Sequence, residues 1–176
     1  MQMLRGAVAC SLTLLAGCAT PLEDETRVHL GGRSFVELRL PEGWEFRPVF
    51  AQGNPTTQAV RVFEGSTELL QVAPVSWSNK SLLATAGTAD LLSRANQALT
   101  KSQLCGGTRL QQRILQESVA VFCTVAQEPG GTRVIGALAS TRLTSTFWLR
   151  ESATAPSSLL WQVLGTVRHF SFEDEA

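Results

Sequence analysis

Cys18 closes the run Leu15-Ala16-Gly17-Cys18, and its thiol is the first group in the chain whose surroundings prescribe a reaction. Met1 to Arg5 carries one positive charge, and Gly6 to Leu15 carries none. A short basic start, about ten apolar residues and small residues before the cut make a secretory signal. The apolar run is too short to cross a bilayer, which takes about 20 residues. Together these features match a bacterial lipobox. The Cys18 thiol then takes a diacylglyceryl group, a peptidase cuts before it, and an acyl chain such as palmitate caps the new amine. Each buried CH₂ adds about 0.8 kcal/mol of membrane affinity, so several chains anchor stably. Ala19 stands where an aspartate would favour the inner membrane. The expected place is therefore the outer membrane, facing the periplasm, with the inner membrane as the alternative. A cut after Ala19 and a buried N-terminal helix are the competing readings.

Four cysteines occur in all. Cys10 leaves with the signal and Cys18 is the lipid acceptor. Cys105 and Cys123 remain, and in an oxidising compartment two cysteines most simply form a disulfide. Two buried thiols or a metal pair are the other options. A metal site needs more ligands, and neither His29 nor His169 stands at ligand spacing from the cysteines. No metal and no cofactor is expected.

The usual catalytic patterns are missing from the sequence. It has no G-x-S-x-G, no H-E-x-x-H, no Walker loop and no G-x-G-x-x-G. Gly106-Gly107 and Gly130-Gly131 read as turns, and neither opens a helix as a phosphate loop would. His169, beside Arg168, reads as a charge at a helix C-terminus. Glu42 and Glu45 lie on a turn, and there is no tyrosine. The chain is read as a non-enzyme with no catalytic residue. An enzyme would gain support if His169 or an acid lay buried in a pocket beside polar groups.

Length and charge set the remaining bounds. The chain has 176 residues with 15 basic and 15 acidic side chains, and 44% of it is hydrophobic. Removing residues 1–17 leaves 159 residues, enough for one domain with a real core. A neutral balance argues against nucleic acid as a partner. Thirteen arginines stand against two lysines, which genomic base composition explains as well as interface chemistry does. In a binding module, exposed aromatics would be the anchors. Trp77 and Trp148 are the candidates, each with the alternative of packing under a helix.

The elements that must position these residues read as follows. Residues 18–33 are a lipidated cysteine and a polar tether. Val36, Leu38 and Leu40 alternate with Glu37 and Arg39, which makes Ser34–Leu40 a half-buried strand with its polar face outward. Pro41-Glu42-Gly43 stops it. Ala59–Phe63 and Leu69–Val75 are strands, and Pro74 places the second at an edge or at its end. A helix runs from about Ser81 to Lys101, capped by Ser78-Asn79. Thr108–Leu115 and Val119–Gln127 form a hairpin whose second strand, apolar on both faces, should be central. Thr132–Ser140 and Ser145–Arg150 follow. A last helix starts near Pro156 and carries the stripe Leu159, Leu160, Val163, Leu164, Val167 and Phe170. Residues 173–176 are an acidic tail. The pattern is α+β: an antiparallel sheet of about 6–7 strands covered by a central and a C-terminal helix.

An opening strand ending in Leu40-Pro41-Glu42-Gly43-Trp44, a central helix, a strand meander and a final helix running into Ser171-Phe172 resemble the PsbP-like domains and the DcrB-like lipoproteins. The resemblance spans residues 34–172 and implies a PsbP-like sandwich. Its members act as accessory proteins, adaptors and envelope proteins, so it implies a non-catalytic protein-binding role and carries over no catalytic residue. The expected partners are the membrane, through the N-terminal lipid, and an envelope protein. The rival readings are an immunity protein against a periplasm-targeted toxin and a carrier of a small apolar ligand.

Overall fold

The computed structural model describes residues 22–31, 33–50, 52, 57–77, 87–127, 131–151 and 155–171. The expected signal, Cys18 and the expected acidic tail lie outside them. Among the described residues, ten strands and two helices run in the order β1 (Leu22–Gly31), β2 (Ser34–Pro41), β3 (Trp44–Phe50), β4 (Thr57–Glu64), β5 (Thr67–Trp77), α1 (Thr88–Ser102), β6 (Gln111–Ile114), β7 (Ser118–Gln127), β8 (Gly131–Ser140), β9 (Leu143–Arg150), α2 (Ser157–Gly165) and β10 (Arg168–Ser171). The fold is α+β. A seven-stranded sheet has the order β3-β4-β5-β9-β8-β7-β6, and a three-stranded sheet has the order β1-β2-β10. Every pairing is antiparallel.

Strand alternation sorts the large sheet's residues onto two faces. Val119, Val121, Cys123, Ala137 and Ala139 pack with Leu91, Ala95, Ala98 and Leu99 of α1. Phe122, Leu138, Phe147 and Leu149 point the other way, against α2 and the small sheet. There Val36, Leu38 and Leu40 of β2 meet Val60, Val62 and Leu70 of the large sheet, and Leu160, Val163 and Leu164 close the core. Trp161 of α2 is its aromatic hub, 4.8 Å from the Phe122 ring and 5.7 Å from the Phe147 ring. Gly136 makes this possible, because a Cβ there would lie 2.6 Å from Phe147 Cζ.

Several expectations are corrected. Most of the expected tether is β1, whose Val28 and Leu30 are buried core residues. Trp44–Phe50 is a strand as well, entered from β2 through a turn in which Gly43 takes φ +79°. Helix α1 starts at Thr88 after an N-cap at Gly87, and the expected Ser78-Asn79 cap lies outside the described residues. Strand β7 lies inside the sheet, between β8 and β6, as its two apolar faces require, one place in from the edge. Strand β5 is not an edge but lies between β4 and β9, and Pro74 falls where its register shifts. A bulge is one of the few interior places where a missing N–H does little harm. The last helix ends at Gly165, and residues 168–171 turn into a strand on β2.

Candidate functional site

Strand β2 lies between β1 and β10, so its outward residues have neighbours on both sides. Arg27 and Arg168 are both in register with Glu37. Arg27 Nε donates to Glu37 Oε2 at 3.0 Å, and Arg168 Nε donates to Oε1 at 2.7 Å, joined there by Arg168 Nη2. Glu37 is 1% exposed. It was expected to face solvent, but the two arginines cover it. Arg27 also lies over the Phe170 ring at 3.7 Å, and Phe170 and His29 flank Phe35. With both oxygens held by guanidinium groups, Glu37 ties three strands together. The alternation Arg27-Val28-His29-Leu30 was the sequence signal for this cluster.

His169 is in β10 opposite Val36, not at a helix end, and it is buried. It lines a cavity of about 430 Å³ between α2, β2 and the turns that follow β6 and β8. Arg39, Arg142 and Arg168 share the wall with Thr166, and Glu117 is its carboxylate. The Thr166 hydroxyl accepts from the Arg39 N–H at 2.8 Å and donates to the Val163 carbonyl at 2.7 Å. The Arg168 guanidinium is engaged by Glu37, which leaves Arg39 and Arg142 as the other cations lining the cavity opposite Glu117. The Ser140 hydroxyl on the same wall is engaged in its own turn, accepting from the Leu143 N–H at 3.1 Å.

On the opposite face, Arg94 fastens α1 to the sheet. It donates to the Ser140 carbonyl at 2.9 Å and to Thr144 Oγ1 at 2.6 Å. Burial lowers its guanidinium below the usual range. Cys105, just past α1, is bonded to Cys123 of β7, with Cα atoms 6.0 Å apart. The bridge fixes the segment that leads into β6. Trp77 ends β5 and is exposed, opposite Leu143. Trp148 is half-buried in β9, opposite Gln71, with Arg133 over its ring at 4.3 Å. Gln71 and Trp77 are six residues apart on β5, roughly 20 Å, so the two tryptophans do not form one patch.

Strands β3 and β6 are the outer strands of the large sheet. They differ in how their edges are treated. Strand β3 carries Pro48 and the charged pair Glu45 and Arg47. Strand β6, Gln-Gln-Arg-Ile, has all four residues exposed and ends in Ile114 at 72% exposure. Arg113 bends inward over the Trp161 ring at 4.8 Å, leaving the edge itself without a proline or an acid. Leu110 and Leu104, both exposed, extend the apolar character along the chain before it. Sequence reasoning placed this strand but not its edge position, which depends on sheet order.

Among the described residues no group of His, Cys, Asp and Glu could hold a metal ion, and no helix is long and apolar enough to cross a membrane. Comparison with family models, with curated proteins and with solved structures finds no match.

Proposed function

We propose that this chain is a periplasm-facing lipoprotein, anchored to the outer membrane through Cys18, that acts as a non-catalytic protein-binding or accessory factor of the envelope. The observation that carries the binding role is the outer position of β6 in the large sheet, with Ile114 exposed at its end. Natural sheets blunt such edges, because a row of open N–H and C=O groups pairs with any passing strand. This chain blunts β3 with Pro48, whereas β6 is limited by its four-residue length and one arginine and ends in an exposed isoleucine. An extended segment of a partner adds there as an eighth strand, its backbone supplying affinity and Ile114 a side-chain contact. The order of elements after Leu40-Pro41-Glu42-Gly43-Trp44 supports a PsbP-like or DcrB-like assignment. The test is a photo-crosslinking residue placed at Ile114 in living cells, with Phe50 of β3 as control. An envelope protein captured at 114 and not at 50 supports the reading, and no adduct at 114 overturns it. A captured toxin would identify the immunity alternative.

His169 favours a second reading. A buried imidazole on the wall of a cavity also lined by Thr166 and Glu117 is an arrangement an enzyme could use. A hydrolytic activity lost in His169→Gln, with folding intact, would establish it.

A further inference from the structure

Arg133 and Arg150 are directly opposite each other on β8 and β9. Like charges in that position destabilise a sheet unless an anion lies between or above them. The other arginines of this face have such partners. Arg61 is 3.3 Å from a Glu68 oxygen and donates to Gln71 at 3.2 Å, and Arg47 is 3.3 Å from a Glu45 oxygen. Among the described residues no carboxylate pairs with Arg133 or Arg150. Arg133 Nε is buried without an acceptor, and its guanidinium carbon lies over Trp148, 4.3 Å from the ring centre.

The register places this pair at a particular end of the molecule. Leu22 is paired with Pro41, and a two-residue turn leads from Pro41 to Trp44 at the start of β3. Trp44 is in register with Glu64, and Glu64 with Thr67. The start of β5 then runs beside the end of β9, where Leu70 faces Leu149. So Leu22 and Arg150 lie at the same end of the two sheets. Cys18 is four residues before Leu22, a reach of at most about 14 Å.

We propose that Arg133 and Arg150, with Trp148 beside them, bind lipid phosphates and seat this end of the domain on the anionic membrane surface that holds the Cys18 anchor. The inference rests on the lipid-anchor reading. Guanidinium groups take phosphate oxygens in bidentate fashion, and a half-buried tryptophan suits the headgroup layer. The anchor supplies proximity, and the arginine pair supplies orientation. With this end on the bilayer, the partner strand's edge and the arginine-lined cavity are held in a fixed relation to the membrane.

The mature, full-length lipoprotein in vesicles tests this. Its arginines are modified with phenylglyoxal and mapped by mass spectrometry, in zwitterionic phosphatidylethanolamine with and without anionic phosphatidylglycerol. Arg133 and Arg150 should each react about fivefold more slowly in the anionic vesicles, as attraction of about 1 kcal/mol per arginine implies. Arg113 should not change. Hydrogen exchange around Trp148 should differ between the two vesicles in the parent and not in the R133Q/R150Q variant. Equal reactivity in both vesicles overturns the inference. So does equal protection by inorganic phosphate in zwitterionic vesicles, which would make a free anion the ligand. The same spectra report the mass on Cys18. An acylated Cys18 with unprotected arginines sinks this inference alone, whereas an unacylated Cys18 sinks the anchor reading and this inference with it.

Discussion

Arg168 and Glu37 are 131 residues apart in sequence and form a cross-strand ion pair, Nε to Oε1 at 2.7 Å. The carboxylate is buried while the Arg168 side chain is about half exposed. Removing the two partners should therefore have unequal effects. Arg168→Ala leaves a buried charge with Arg27 as its remaining partner, and should cost about 2 kcal/mol, below the 3–5 kcal/mol of a fully orphaned ion. Arg168→Lys should restore part of it. Denaturant midpoints of the mature protein measure both.

Gly136 should tolerate no side chain. Its missing Cβ would fall 2.6 Å from Phe147 Cζ, 2.6 Å from the Val121 carbonyl oxygen and 2.8 Å from Phe122 Cβ. Gly136→Ala should cost about 1–3 kcal/mol by overpacking. Near-ultraviolet tryptophan signal that changes in Gly136→Ala, but no longer once Trp161 is replaced by Phe in both parent and variant, would locate the damage at Trp161. An unchanged melting curve would contradict the packing described.

The Cys105–Cys123 bridge closes a loop with a sequence separation of 18 residues. It should contribute about 3 kcal/mol. The C105S/C123S variant should unfold at lower denaturant, and a reductant should then have no further effect on it. Non-reducing peptide maps should show the two cysteines linked, and freely alkylated thiols would refute the pairing.

Cys18→Ala should release the protein from the membrane fraction and abolish globomycin-sensitive processing. Fractionation with and without the drug checks both. Unchanged membrane association would remove the lipid-anchor reading.

Ile114→Lys should abolish partner capture at β6. Ile114 is mostly exposed, so stability should stay within about 0.5 kcal/mol of the parent. A partner that still binds with unchanged affinity would exclude strand addition at this edge.

Strands that alternate cleanly, or that form an uninterrupted apolar run between turns, were legible in the sequence. Ser34–Leu40 and Val119–Gln127 lie within a residue of β2 and β7. The strands that escaped notice carry conflicting signals. In β1 the run Glu23-Asp24-Glu25 precedes the buried Val28 and Leu30. In β3 Pro48 interrupts the alternation, which an outer strand tolerates. In β10, Phe170 stands at helical spacing from Val167, so a four-residue strand read as a helix end. The candidate site was less legible still. Glu37 looked solvated because nothing local announces Arg168 on the neighbouring strand. Arg133 and Arg150 lie 17 residues apart in sequence, and only the β8–β9 register sets them face to face.

Strand β2 is completed on one side by β1, its immediate predecessor, and on the other by β10, the last described strand. Synthesis delivers the chain from its N-terminus, so the small sheet has an open flank until residues 168–171 arrive. Glu37, on β2, then has only Arg27 as its ionic neighbour. The closing of this sheet is thus a length check: a chain truncated before Arg168 retains an exposed strand edge and an under-neutralised carboxylate. Those are features that quality-control proteases can act on.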